Sequence, residues 1–443
     1  MLRALMLASL LSTCLSLLPG AAATAASAVE DIAAHQHLGV ATCASSTCHG
    51  ATERAAGADV WLNEFSRWQE YDPHATAAFQ ALRGEAGQAI ARKLGLGDAT
   101  SAAVCLDCHA DNVAAAARGG RFQLDDGVGC EACHGGAEAW ISSHAGSDAS
   151  HADNLARGMY PTEDPVRRAE LCLSCHMGVP ERMITHRIMG AGHPRLSFEL
   201  DTFTWINPHY EVDADYIERK GEFNGVRDWG VGQGVAADNA LRILLSERHG
   251  WNGIFPELVL FDCHSCHRRM DRNQWAPRQG TGLGPGVVRL NDANLVMFRH
   301  VLAAVDRGAA AQLLELTRAL HQATTRSREA TEGAAQQLRG HLRAQLPRVA
   351  AHAFDAASLG AILDSLLREA ERGEYRDFIA AEQAAMAASS VVVAFETAGE
   401  LDQARADALR ARVDALYATA DDEHAYDMPA FVAALRALRS EAG

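Results

Sequence analysis

The stretch GVGCEACHGGAEAWISSH, from Gly127 to His144, decides how this chain folds. It contains two cysteines and a histidine in the order C-x-x-C-H, at Cys130, Cys133 and His134. Two thiols on one tight turn can form thioethers to the two vinyl groups of a haem, and the adjacent imidazole can then bind the iron. The stretch therefore predicts a c-type haem, and we expect the fold to form around such groups.

The same pattern occurs three more times in the chain, and a widened C-x4-C-H version occurs once. The predicted attachment cysteines are Cys43, Cys48, Cys105, Cys108, Cys130, Cys133, Cys172, Cys175, Cys263 and Cys266. The predicted proximal iron ligands are His49, His109, His134, His176 and His267. A zinc site would need only pairs of C-x-x-C, and disulfides would put no constraint on the next residue. Histidine is 20 of 443 residues, so a histidine after all the pairs would arise by chance roughly once in several million cases. Five covalently attached haem c groups are therefore predicted.

The amino terminus predicts an export signal. Arg3 lies in a short basic start, an apolar run follows from Ala4 to Leu18, and small residues suited to signal peptidase come next. We predict a cleaved signal peptide over residues 1–28 and a periplasmic protein, because the thioethers of c-type haems are made on the far side of the bacterial inner membrane. Of the 11 cysteines, Cys14 leaves with the signal, so that ten remain, two for each haem. No later apolar run reaches spanning length, so we expect no transmembrane span.

The formal net charge of −16 limits the classes of partner. It argues against binding to nucleic acid or to an anionic membrane surface. A periplasmic redox protein with a basic docking patch is the expected partner, and such a contact would weaken with salt. The alternative is that the acidity only keeps the protein soluble.

The chain divides by composition into two parts. All ten mature cysteines precede the glycine- and proline-rich stretch from Arg278 to Gly286, which predicts a turn or linker. We predict a haem domain over residues 29–280, mainly α-helical with little regular sheet. Aromatic residues are only 6% of the whole chain, which is low for a core of this size, so haem should supply much of the buried surface. Apolar residues at helical spacing predict an α-helical bundle over residues 287–443, which packs on the haem domain or forms a homo-oligomer.

The sixth position of each iron decides whether a haem transfers electrons or binds a small molecule. A second protein ligand closes the site, whereas an open position admits a substrate. His186 and His193 closely follow the fourth motif, and we predict both as distal ligands. A lone histidine is more often structural. We therefore interpret His35, His37 and His151 as structural histidines.

Part of the chain resembles a known family. WQEYDPHATAAFQAL, GVGCEACHGG with a histidine downstream, and LCLSCHMG resemble the tetrahaem cytochromes c that accept electrons from hydroxylamine oxidoreductase, and the haem core of the related multihaem nitrite reductase lineage. The resemblance covers roughly residues 39–193. It implies that His74, which follows Trp68, and His144 are distal ligands. The C-x4-C-H motif and the fifth haem are departures from the tetrahaem pattern.

Four distal histidines for five haems leave one iron that can be open. The segment from Asn207 to Gly230 is the expected wall of such a site, because it carries cations to hold an oxyanion and proton donors to accompany the electrons. Its candidate catalytic residues are His209, Tyr210, Tyr216 and Arg219. The alternatives are an ordinary polar linker, or His209 as a fifth distal ligand.

Two functions agree with these patterns. The first is a periplasmic pentahaem cytochrome c that transfers electrons in nitrogen- or sulfur-compound respiration. The second is a multihaem oxidoreductase that acts on nitrite, hydroxylamine, nitric oxide or a sulfur oxyanion at one five-coordinate haem. A haem-bearing docking subunit, whose helical domain recruits a partner, is a third class.

Overall fold

The computed structural model describes residues 27–58, 60–146, 148, 150–206, 209–221, 223–267, 278–284 and 286–443. The predicted signal peptide lies almost wholly outside these residues. Helices make up 61% of the structure. The strands of the described part form one short antiparallel hairpin, in which Trp251–Asn252 pairs with Phe255–Pro256. The prediction of a mainly α-helical protein with little sheet is therefore confirmed.

The haem-motif region is built from short helices. In chain order they are α1 (Ala28–Ile32), α2 (Glu64–Tyr71), α3 (Thr76–Arg83), α4 (Glu85–Leu94), α5 (Ala103–His109), α6 (Glu131–His134), α7 (Ile141–His144), α8 (His151–Ala156), α9 (Pro165–His176), α10 (His186–Ala191), α11 (Leu200–Ile206) and α12 (Ala214–Lys220). Three motifs end a helix, since His109, His134 and His176 are the last residues of α5, α6 and α9. Residues three apart share one face of a helix, so the two thiols of such a motif lie side by side.

The remaining helices are longer. They are α13 (Gly225–Leu244), α14 (Ala293–Val305), α15 (Arg307–Thr324), α16 (Arg328–Ala350), α17 (Ala356–Glu371), α18 (Phe378–Thr397), α19 (Gln403–Tyr417) and α20 (Met428–Ala442). Several begin at a side chain that accepts a hydrogen bond from a backbone N–H of the first turn, as Asp306 does for α15 and Ser327 for α16. Such caps satisfy N–H groups that have no partner inside the helix.

One apolar core extends across the predicted boundary at Arg278–Gly286. It includes residues from Ala169 on α9 to Leu438 on α20. α13 is buried along most of its length and contacts α9 as well as α14, α16 and α18. The haem-motif region has only small additional clusters, such as the one around Phe79 and Leu106. α9, which ends in the fourth motif, is therefore anchored to the helical bundle, while the domain limits themselves stay predictions.

α18 is the most apolar of the long helices in the described part of the chain. Its mean hydropathy of 1.6 and its 20 residues would allow it to cross a membrane by length and composition. However, 72% of the apolar window is buried inside the protein. Its apolar side chains, among them Met386 and Val391, therefore contribute to the core.

Glu199 is a buried carboxyl group at the start of α11 and makes stability depend on pH. It accepts hydrogen bonds from the backbone N–H groups of Asp201 and Thr202, at 3.0 and 2.5 Å. Burial, followed by the charge of Asp201, raises the pKa of Glu199 to about 7 from 4.5. The folded state therefore holds this proton more strongly, so the contribution is complete below about pH 4.5 and is lost as the pH rises towards 7.

We expect a Glu199→Gln variant to be more stable than the wild type at about pH 8, by on the order of 3 kcal/mol. At about pH 4 the two proteins should unfold at similar temperatures, since both then carry a neutral side chain. Thermal unfolding followed by circular dichroism over this pH range measures the difference. Parallel curves of unfolding temperature against pH would contradict the prediction.

Candidate haem-binding site

Four motif histidines each face a histidine from elsewhere in the chain. The ring centroids lie 5.9 Å apart for His49 and His144, 5.7 Å for His176 and His74, 6.4 Å for His109 and His193, and 6.1 Å for His267 and His186. An imidazole nitrogen lies about 2 Å from a first-row metal, so two rings on opposite sides of one iron have centroids roughly 6 Å apart. The four pairs therefore fit an iron with two axial histidines, and every predicted distal histidine takes part.

Four of these eight histidines donate a hydrogen bond from their other ring nitrogen to an oxygen. His49 Nδ1–H donates to Glu64 Oε2 (3.0 Å), and His74 Nδ1–H donates to Asp72 Oδ1 (2.9 Å). The Nδ1–H of His109 donates to the carbonyl of Ala78 (2.9 Å), and that of His193 donates to the carbonyl of Pro194 (2.8 Å). A metal-binding histidine usually donates its second N–H in this way, which fixes the tautomer and the ring orientation. Each of these rings would therefore present Nε2 to a haem iron.

Glu64 and Asp72 are candidate functional residues that the sequence patterns did not reveal. They flank α2, one at its first residue and one directly after its last. Burial alone would raise the pKa of Asp72, but hydrogen bonds from His209 and His74 hold it well below its usual range. Asp72 is therefore a carboxylate. The sequence feature that could have indicated Asp72 is its position two residues before His74, the predicted distal ligand.

His144 is oriented by Asn154. His144 Nδ1 lies 3.4 Å from Asn154 Nδ2, while the hydroxyl of Ser143 lies 2.8 Å from the carbonyl of Trp140 and 3.0 Å from Asn154 Oδ1. The Ser143 hydroxyl has one proton, so it can donate a hydrogen bond to only one of these two oxygens. Exchanging the oxygen and nitrogen of the Asn154 amide resolves this, because the amide then donates to Ser143 and its oxygen accepts from His144 Nδ1–H. His144 then also presents Nε2 to an iron.

The third motif has a different environment. In the described part of the chain, His134 forms none of the histidine ring pairs. Burial lowers its pKa to about 4, and the proximity of His209 is the next cause. A neutral imidazole is the form that binds a metal. Because His209 affects the pKa of His134, it lies close to the third motif. Its Nδ1 is 3.6 Å from Asp72 Oδ2.

The residues predicted for catalysis lie partly together. The rings of His209 and Tyr210 are 5.3 Å apart, and those of Tyr210 and Tyr216 are stacked at 5.4 Å. Burial, and then the neighbouring Tyr216, raises the pKa of Tyr210 to about 12, so that it is a weak proton donor. Arg219 lies on α12, but its side chain is outside the described residues.

The attachment cysteines of different motifs lie close together. None of the ten is paired in a disulfide. Cys43 lies close enough to Cys130, and Cys108 to Cys175, for the two thiols of each pair to shift each other's pKa. Cys133 lies within electrostatic reach of Cys172. Among the described residues, no group of three or more His, Cys, Asp or Glu side chains is arranged to hold a bare metal ion. The thiol contacts place the attachment edges of motifs one and three together, and likewise those of motifs two and four.

Histidines that were interpreted as structural have other partners. His37 is fully buried, and its Nδ1 and Nε2 lie 2.7 Å from Asp111 Oδ2 and 3.0 Å from the carbonyl of Ile32. Both ring nitrogens are engaged, which leaves none for a metal. His151 Nε2 lies 2.6 Å from Glu163 Oε1.

Comparison with known proteins agrees with this geometry over part of the chain. Residues 39–135, which contain the first three motifs, match the family described as Cytochrome c554 and c-prime. No curated protein and no solved structure matches the chain. The match covers less than a quarter of the sequence. It supports a multihaem c-type cytochrome with covalently bound haem c and a role in electron transfer.

Proposed function

We propose that this protein is a periplasmic pentahaem cytochrome c that transfers electrons in nitrogen- or sulfur-compound respiration. The observation that carries the proposal is the set of four histidine pairs, each made of a motif histidine and a distant histidine at the separation that an iron requires. Bound haem would supply a one-electron couple at each iron. An iron with two protein ligands exchanges electrons but offers no position to a substrate.

We assign the haems the numbers one to five in the order of their motifs, and propose His209 as the second ligand of haem 3. Two observations support this assignment. After burial, His209 is the group with the greatest effect on the pKa of His134, which places the two side chains close together. Its Nδ1 faces the Asp72 carboxylate, an arrangement that leaves Nε2 for a metal. All five haems would then carry two axial histidines.

The contacts between motifs support an electron path through haems 1, 3, 4, 2 and 5. The thiol contacts described above join motif one to three, three to four, and four to two. Haem 5 follows haem 2 because α10 begins at His186 and His193 lies just beyond its end. The six residues of this helix correspond to roughly 9 Å, so the ligands of haems 2 and 5 are neighbours along one short segment.

Electron paramagnetic resonance of the oxidised protein tests this function. We expect five haems per chain and only low-spin signals, unchanged by cyanide or nitric oxide. A His209→Ala variant should show a high-spin signal from one haem, because haem 3 loses its second ligand.

A wild-type high-spin signal that converts on addition of cyanide would overturn the pure electron-transfer proposal. It would instead favour the second candidate, an oxidoreductase. The ring contacts of His209, Tyr210 and Tyr216 beside the third motif are the observation that favours that candidate.

The acidic chain supports a redox partner with a basic docking patch. The net charge of −16 would attract such a protein over a distance of about 8 Å at physiological ionic strength. We also propose that the helical bundle is the part through which a homo-oligomer would form. The association rate with the partner should fall as salt is added.

A further inference from the structure

We propose that α2 carries, at its two ends, the carboxylates that position the axial ligands of three haems, and that Asp72 alone holds ligands of both haem 3 and haem 4. This inference rests on the proposed function, because it requires His209 and His74 to be the second ligands of haems 3 and 4. Asp72 and Glu64 are positioning residues, since they act through histidines and do not touch the iron.

Asp72 uses one carboxylate oxygen for each histidine. Its Oδ1 accepts hydrogen bonds from the backbone N–H and the Nδ1–H of His74, both at 2.9 Å. Its Oδ2 lies 3.6 Å from His209 Nδ1. Asp72 is 8% exposed, so water competes little for these oxygens. One buried carboxylate therefore connects two histidines that belong to different haems.

The backbone holds Asp72 in place. Its N–H donates to the carbonyl of Trp68 on α2 at 3.1 Å, and its carbonyl accepts from Ala75 N–H at 3.0 Å. Trp68 is itself buried, and its Nε1–H donates to the carbonyl of Val128 at 3.2 Å. The carboxylate is thus attached to the stretch that carries the third motif. A rigidly held acceptor sets the ring orientation of a metal-binding histidine.

The opposite end of α2 serves haem 1. Glu64 is the first residue of the helix, and its Oε2 accepts the Nδ1–H of His49 at 3.0 Å. Eight residues of helix are about 12 Å long. A single short helix therefore reaches the ligands of haems 1, 3 and 4, which are the first three haems of the proposed path.

This arrangement tunes haems 3 and 4 together. A carboxylate that accepts the Nδ1–H of a ligand makes the imidazole a stronger electron donor, which stabilises ferric iron and lowers the reduction potential. Because Asp72 is shared, both potentials are lowered by the same group. Neighbouring haems of similar potential exchange electrons without a large uphill step.

An Asp72→Asn variant tests the inference, because it removes the charge and keeps the size of the side chain. We expect the reduction equilibrium of two haems, 3 and 4, to become about tenfold more favourable, which raises each potential by about 59 mV. Glu64→Gln should move one haem, haem 1. Spectroelectrochemical titration measures the potentials, and the g values of the low-spin signals show which haems change.

Asp111→Asn is the matched control. It removes a buried carboxylate from His37, whose two ring nitrogens are both engaged by protein groups, so it should alter no axial ligand. If Asp72→Asn fails to fold, Asp72→Glu retains the charge with a longer reach and should produce a smaller change in the same two haems.

The outcomes separate this inference from the proposed function. A wild-type protein with a high-spin haem would overturn the assignment of the ligands. An all-low-spin wild type, in which Asp72→Asn changes only one haem or none, would overturn the shared role of Asp72 alone. A joint change of two haems, in potential or in spin state, supports it.

Discussion

In a His74→Ala variant of the proposed pentahaem protein, we expect haem 4 to become high-spin while the other four haems stay low-spin. The Nε2 atoms of His74 and His176 face each other at 3.4 Å, close to the roughly 4 Å that two bonds to one iron require. Phe198 stacks on the His176 ring at 4.2 Å and has no atom that can bind iron. Removing His74 therefore leaves the sixth position empty. Electron paramagnetic resonance should show about one fifth of the iron as high-spin, and one equivalent of cyanide should bind.

Added imidazole should restore the low-spin signal of this variant, since it can enter the cavity left by the side chain. His151→Ala is the matched control, because His151 contacts Glu163 and is not assigned to any iron. Its spectrum should equal that of the wild type. A His74→Ala protein with an unchanged spectrum would show that His74 is not an axial ligand.

Replacing Gly127 with alanine should disturb the same haem through the backbone of His74. Gly127 has a φ of +87°, which an L side chain rarely adopts. An added Cβ would overlap the carbonyl oxygen of Ala75 and lie 2.7 Å from that of His74. The next residue, Val128, donates its N–H to the carbonyl of His74 at 2.7 Å. We expect a loss of more than about 3 kcal/mol in the free energy of unfolding, together with a partial high-spin signal from haem 4.

A Gly97→Ala variant separates the cost of backbone strain from the cost of steric overlap. Gly97 has a φ of +77°, and nothing lies within 4 Å of its added Cβ. It should therefore cost only the strain, about 1 kcal/mol, and leave every haem low-spin. Thermal unfolding and the spin state are measured for both variants. Equal losses in the two would mean that the contact between Gly127 and the segment of His74 has no particular role.

The sequence was informative wherever the chemistry is local. Each attachment motif lies within five to seven consecutive residues, and helical spacing is also a local property, so both could be predicted. The pairing of His144 with His49 and of His74 with His176 could not be read from spacing, because each joins segments about one hundred residues apart. The positioning carboxylates were missed for the same reason. Nothing in the order of residues shows that Asp72 approaches His209.

The helical bundle is a second case in which the sequence did not reveal the tertiary contacts. Composition placed a boundary at Arg278–Gly286, since cysteines end before it and alanine and leucine increase after it. In the folded protein, α13 precedes this stretch but shares the core of the helices that follow it. Which residues are buried depends on which apolar faces pack together, and a change in composition along the chain does not indicate that packing.

The sequence by itself predicted where haem would be attached and determined that the protein is mainly helical, because thioether formation and helix formation depend on residues that are neighbours in the chain. Only the tertiary structure decided which histidine stands opposite which motif and which carboxylate holds it. A separation of roughly 6 Å between two imidazole rings is set by the packing of distant segments. In the stretch from Gly127 to His144, the motif was visible in the sequence, whereas the contact of Gly127 with the backbone of His74 exists only in the fold.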